Sequence, residues 1–193
     1  ETVSFSCALV TGASSGLGEE FALQIAPRVG KLVLVARREP LLEILAERIR
    51  EAHPHVAVAV FPVDLSRASE VDGLLDNLAD TGFMPDLLVN NAGLGDYGEF
   101  ASSDWEKLES MLHVNIEALT RLTHAVLPEM IRRGGGANTP SVIANGMVAV
   151  DAIARLDCAD AIAVPIRAIQ RGIVVEDHAA IESHDPVVPI AGG

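Results

Sequence analysis

The chain has 193 residues, of which 49% are hydrophobic and 21% charged, with a formal net charge of −13. This length suits one domain, or one domain with an appendage, and the apolar share excludes a disordered chain. No apolar run reaches the roughly 20 residues of a membrane span, and the acidic balance argues against nucleic acid or an anionic membrane surface as a partner.

Residues 7–11 form a short apolar run that ends in glycines, which predicts a buried strand. A helix over 16–26 follows, with Leu17, Phe21 and Ile25 four residues apart on one face. Residues 31–36 read as a second strand. Glu39-Pro40 then opens a helix, with proline at a favoured first-turn position and Leu41, Leu45 and Ile49 as its inward stripe. Residues 56–63 predict a third strand and 66–78 a helix capped by Ser66. Residues 86–89 predict a fourth strand. Helices are expected over 103–112 and 115–133, the latter with Ile116, Leu119, Val126 and Met130 facing in and a kink at Pro128.

Strands separated by amphipathic helices imply βαβ units. The expected fold class is α/β: a three-layer, Rossmann-like, doubly wound parallel sheet, incomplete at its C-terminal end. Residues 1–136 are expected to form this domain. After Gly134-Gly-Gly-Ala137 the composition changes, and from there to Gly193 there is neither an aromatic residue nor a lysine. Residues 137–193 are therefore expected to be an atypical segment completing the same domain.

Thr11-Gly-Ala-Ser-Ser-Gly-Leu-Gly18 lies between the first strand and the first helix, the context that gives a glycine pattern meaning. Gly12 allows a sharp turn, Gly16 lets backbone approach a pyrophosphate, and Gly18 lets the helix pack on the sheet. Ser14, Ser15 and Leu17 belong to the same phosphate loop, where backbone N–H groups and the helix N-terminus face the anion. Dinucleotide sites for NAD carry an acid at the end of the second strand, about twenty residues after the glycines. Here that position holds Arg37, followed by Arg38. Guanidinium groups pair with a 2′-phosphate, so the expected cofactor is NADP(H) in preference to NAD(H).

With these motifs in place, the chain resembles the short-chain dehydrogenase/reductase family over about residues 5–136. The likeness rests on the glycine segment, on Asp64-Leu65 after the third strand, on Asn90-Asn-Ala-Gly93 after the fourth, and on Asn115 in His113-Val-Asn-Ile116. The resemblance implies that Asp64 and Leu65 contact the adenine ring, and that Asn91, Ala92 and Gly93 line the cofactor and steady the sheet. It implies that Asn115 holds a water in a proton relay, and that Arg37 stands where NADP-preferring members place an arginine. Ser15 is not basic, so a second phosphate contact found in some members is missing. The implied activity is hydride transfer between NADP(H) and a carbonyl or alcohol substrate, in a homodimer or homotetramer.

The same resemblance calls for Tyr-x-x-x-Lys and a serine on the fifth strand. The chain has one tyrosine, Tyr97, and its lysines are Lys31 and Lys107, so that motif is absent. Ser141, in Pro140-Ser-Val-Ile-Ala144, is the candidate serine. Two readings therefore stand beside the active reductase: an NADP-binding protein without catalysis, and a reductase whose reading frame is damaged after about Ala137.

No metal site is expected. Cys7 and Cys158 form no Cys-x-x-Cys pair, and His178 and His184, among acidic residues, have no familiar ligand spacing. The N-terminal apolar stretch is too short for a signal peptide, and a cytoplasmic location is the default.

Overall fold

The computed structural model describes residues 5–133 and 141–144. All of them fall in the first of two compact units, Glu1–Leu156; the second, Asp157–Gly193, lies outside the described residues, as do His178, His184 and Cys158.

The elements in chain order are β1 (Phe5–Thr11), α1 (Gly16–Ile25), β2 (Val29–Ala36), α2 (Glu39–Ala52), β3 (Ala57–Pro62), α3 (Ala68–Thr81), β4 (Leu87–Asn90), α4 (Trp105–Leu112), α5 (Leu119–Arg133) and β5 (Ser141–Ala144). A π-helical segment, His113–Ala118, joins α4 to α5. The strands form one sheet in the order β3-β2-β1-β4-β5, and every pairing is parallel. The expected doubly wound α/β sheet is thus what the chain builds.

Its two faces follow from the period-2 alternation of strands. Leu9, Val33, Val35 and Leu88 pack with Val71, Leu74 and Leu78 of α3 and Leu122, Val126 and Met130 of α5. The residues between them, Ala8, Val10, Leu32 and Leu34, point to the other face and are fully buried. That face is covered by α1 and α2, which contact β1 and β2. Each buried leucine or valine contributes roughly 1.5–3 kcal/mol, so stability concentrates in β1, β2 and β4. The edge strand β3 is half-buried.

A buried carboxylate precedes β4. Asp86 accepts the Ser6 and Cys7 N–H groups at 2.8 and 2.9 Å, and its own N–H donates to the Cys7 carbonyl at 2.9 Å. It thereby extends the β1–β4 pairing past the end of the strand.

The structure corrects several local expectations. Leu41 is exposed, and the buried stripe of α2 is Leu42, Leu45, Ala46 and Ile49. The 3.6-residue period fits both stripes at Leu45 and Ile49, and packing on the sheet selects the second. Ser66 does not cap α3, because its N–H and Oγ both donate to Asp64 Oδ1, at 3.0 and 2.8 Å; Arg67 takes the N-cap position. Ile116 is exposed because it lies in the π segment, where a wider turn rotates the following side chains. The departure from α geometry is at His113–Ala118, whereas α5 runs continuously through Pro128. No helix among the described residues is long and apolar enough to cross a membrane.

Candidate functional site

After β3 the chain returns to the opposite side of β1 to place β4. The C-terminal ends of β1 and β4 therefore diverge at a topological switch point, where ligands of such sheets bind. A cleft of about 370 Å³ opens there. It is lined by Gly12, Ser14, Ser15, Arg37, Arg38, Asp64, Leu65, Asn91, Ala92 and Gly93, together with Ala36, Val63, Leu94 and Val114. Residues predicted from four separate strand-end loops thus meet on one surface. Gly16, Leu17 and Gly18 form the start of α1 beside it.

The glycines act in different ways. Gly12 has φ +68° and Gly16 φ +59°, left-handed values that disfavour a side chain. A Cβ on Gly16 would meet nothing within 4 Å, so the space over the α1 N-terminus is open. A Cβ on Gly18 would lie 2.2 Å from the Gly12 carbonyl oxygen and 2.5 Å from Asn91 Nδ2. Gly18 therefore lets α1 close onto the loop, while Gly16 leaves room for a phosphate. The open space, the close-packed loop and the flanking arginines together fit a dinucleotide.

The cleft floor is tied by Thr11, a residue that sequence reading left within the strand. Thr11 Oγ1 accepts the N–H groups of Asn91 and Ala92, both at 3.0 Å, and donates to the Val89 carbonyl at 3.3 Å. Asn91 Nδ2 donates to the Thr11 carbonyl at 3.0 Å. One residue earlier, Asn90 Nδ2 donates to Thr123 Oγ1 at 3.0 Å, fixing β4 to α5. The resemblance implied that Asn91 steadies the sheet; for Thr11 and Asn90 the sequence signal was polarity inside otherwise apolar segments.

The two arginines separate. Arg38 Nη2 donates to Ser15 Oγ at 2.7 Å and to Ser14 Oγ at 3.1 Å, crossing from β2 to the glycine loop. Arg37 faces Asp64 instead. Burial pushes the Asp64 carboxyl up, but the hydrogen bonds from Ser66 and the charges of Arg37 and Arg67 outweigh it, leaving Asp64 below the usual carboxylate range. The Asp64 N–H donates to Glu70 Oε2 at 2.7 Å, which anchors the β3–α3 turn.

Asn115 lies in the π segment, and its side chain pairs with the backbone of Leu94. Oδ1 accepts the Leu94 N–H and Nδ2 donates to the Leu94 carbonyl, each at 2.8 Å. Asn115 thus holds the loop after β4 against the end of α4.

The remaining candidates lie elsewhere. Ser141 begins β5 and pairs in register with Leu87, at the opposite end of the strand from Ala144, which pairs with Asn90 beside the cleft. Lys31 sits near the start of β2, where Nζ donates to the Gly82 carbonyl at 2.8 Å and stands 5.0 Å from the Phe83 ring centroid. Tyr97 is fully exposed, and Lys107 lines a neighbouring cleft formed by α4 and the loop after β4.

The sequence profile described as short chain dehydrogenase matches residues 6–151. Sulfoacetaldehyde reductase 2 of Chromohalobacter salexigens is 36% identical over 146 residues, which cover 73% of this chain and 54% of that protein. A short-chain dehydrogenase from Sphingobium yanoikuyae, solved in complex with NADPH, is 36% identical with a TM-score of 0.66, covering 74% of this chain and 54% of that one. The L-sorbose reductase of Gluconobacter frateurii, solved with NADPH and L-sorbose, is 27% identical with a TM-score of 0.68, covering 91% of this chain and 65% of that one. The chain spans about half the length of the curated relatives it matches first. From the βαβ order, the glycine loop at the switch point and the profile match, the chain belongs to the short-chain dehydrogenase family.

Proposed function

We propose that this chain forms the NADP(H) site of an oxidoreductase that moves a hydride between the nicotinamide and a carbonyl or alcohol carbon of a small molecule. The observation that carries the reading is the pairing of an open α1 N-terminus at Gly16 with Arg37 and Arg38 at the end of β2. The diphosphate would lie on the α1 N–H groups. Arg37 would face the ribose 2′-phosphate, and Asp64 and Leu65 the adenine, while Arg38 is held to Ser14 and Ser15 of the glycine loop. Asn91, Ala92 and Gly93 would flank the inner part of the cofactor. NADPH, when bound, supplies the hydride; the chain's residues bind and orient it. The NADPH-bound relatives support the choice of cofactor.

A second reading, cofactor binding without turnover, is favoured by the positions of Tyr97, Lys31 and Lys107. Tyr97 is fully exposed, and Lys31 is committed to Gly82 near the N-terminal start of β2, at the end of the strands away from the cleft. Loss of a positioned general acid costs about 10²- to 10⁴-fold in rate. Asn115, bonded to the loop after β4, is the remaining candidate for the proton relay and does not replace a tyrosine–lysine pair, while Ser141 pairs with Leu87 at the end of β5 away from the cleft.

Titration of the chain with NADPH and NADH, followed by NADPH oxidation assays with small aldehydes and ketones, separates the readings. The expected result is binding of NADPH in preference to NADH, with oxidation at background. Steady oxidation at enzymatic rates would establish the active reductase, and no binding of either nucleotide would overturn both readings.

A further inference from the structure

Ser15 holds the N-cap position of α1 in an extended conformation, with φ −173° and ψ 164°. Serine is favoured there because its hydroxyl accepts a free N–H of the first turn. In this chain it makes no such bond. Its oxygen accepts from Arg38 Nη2 at 2.7 Å instead, and the same guanidinium donates to Ser14 Oγ from Nη2 at 3.1 Å and from Nε at 3.3 Å. Arg38 immediately precedes α2, so this contact bridges the two sides of the cleft mouth.

The consequence follows from donor and acceptor inventories. Arginine only donates, so it can hold the serines only through their oxygens. A Ser15 oxygen turned toward Arg38 is turned away from the α1 N–H groups. The first turn of a helix carries N–H groups with no intrahelical partner. Left uncapped by Ser15, they remain available to an anion, beneath the open space over Gly16. The serine O–H protons are also left free to donate into the cleft.

We propose that Arg38 is a positioning residue that draws the Ser15 hydroxyl off the α1 N-terminus and so keeps that end of the helix free for the cofactor diphosphate. The inference rests on the dinucleotide reading of the cleft. It gives the adjacent arginines different tasks. Arg37 serves the 2′-phosphate, which NADH lacks. Arg38 serves the diphosphate, which NADH and NADPH share. When Arg38 is removed, Ser15 turns back to cap α1 and competes with the cofactor.

The test is calorimetric titration of NADPH and NADH into the wild-type chain, Arg38→Ala, Ser15→Ala and the double variant. Arg38 and Ser15 are exposed, so the fold tolerates these changes. The expected result is that Arg38→Ala weakens both nucleotides by the same factor, about tenfold, the strength of a typical serine cap. In the Ser15→Ala background, Arg38→Ala has no further effect, because no hydroxyl remains to compete. A general loss of structure would not disappear in that background. A loss confined to NADPH would mean that Arg38 contacts the 2′-phosphate directly and would overturn the proposal. An undiminished loss in the Ser15→Ala background would overturn it too. If the wild-type chain binds neither nucleotide, the dinucleotide reading fails and this inference falls with it.

Discussion

Thr11 and Asn91 are joined by two hydrogen bonds, both donated by Asn91: its N–H to Thr11 Oγ1 and its Nδ2 to the Thr11 carbonyl, each at 3.0 Å. They sit at the C-terminal ends of neighbouring strands, where the chain order reverses and the cleft begins. The Asn91 side chain also reaches back toward the Gly12 carbonyl at 3.5 Å. One pair of residues therefore sets both the separation of the strand ends and the position of the glycine loop, before any ligand arrives.

Thr11→Val keeps the shape of the side chain and removes its hydroxyl. Thr11 is 1% exposed; without its hydroxyl the half-buried Ala92 N–H loses its partner, while the Asn91 N–H keeps the Val89 carbonyl at 3.0 Å. An unsatisfied donor costs about 1–3 kcal/mol, and the expected destabilisation is about 1–2 kcal/mol in urea unfolding. Thr11→Ser retains the hydroxyl and should lose much less. Equal losses for the two variants would show that the methyl packing, not the hydroxyl, holds the strand ends.

Gly18→Ala and Gly16→Ala should fail differently. The added methyl at Gly18 meets the Gly12 carbonyl oxygen at 2.2 Å and Asn91 Nδ2 at 2.5 Å, so backbone must move. Overpacking of this kind costs roughly 1–3 kcal/mol, and thermal unfolding should register it without any ligand. At Gly16 nothing lies within 4 Å, and the change meets only the left-handed φ of +59°. Its main effect should fall on nucleotide binding, because the methyl occupies the space over the helix end. Unchanged affinity in Gly16→Ala would mean that the diphosphate lies elsewhere.

The sheet and its covering helices were legible because each buried face repeats: period 2 in the strands, 3.6 in the helices. The glycine loop and Arg37 were legible because loop residues at strand ends carry their chemistry in their type, whereas Asp64 and Asn91 came from the resemblance to the family. Leu41 and Ile116 were misread for a common reason. A hydrophobic residue at helical spacing fits more than one face, and the π segment at His113–Ala118 shifts the face without changing composition. The bond from Arg38 to Ser15 was invisible, since it joins exposed polar residues 23 apart with no periodicity between them. Thr11 was hidden by a strand pattern that records burial but not what a buried hydroxyl must bond.

Cys7 should be inert in the folded chain. Burial, aided by the nearby Asp86 carboxylate, pushes its thiol from an ordinary value of 9.0 up to about 12. A value raised by folding means that the folded state resists losing this proton. Its stabilising contribution is whole below about 9 and is lost as pH rises toward about 12. In a Cys158→Ser background, iodoacetamide at pH 8 should label Cys7 only at the rate of unfolding. Stability should fall between pH 9 and 12 more in that variant than in one that also carries Cys7→Ala. Rapid labelling of the native chain would show that the start of β1 opens readily.

Arg37→Ala should weaken NADPH binding and leave NADH binding nearly unchanged. Arg37 lines the cleft at the end of β2, where no acid is present to accept a ribose hydroxyl. A charge-assisted hydrogen bond is worth about 1.5–3 kcal/mol, so the expected loss is roughly ten- to a hundredfold for NADPH alone. The dependence on salt should fall with it, because a screened charge pair disappears. Arg37 also helps hold the Asp64 carboxyl low, so the same variant should move that group back toward the ordinary range, visible as an upfield-to-downfield titration of its carboxyl carbon at higher pH than in the wild type. Equal losses for NADPH and NADH would show that Arg37 supports the cleft as a whole and does not distinguish the 2′-phosphate.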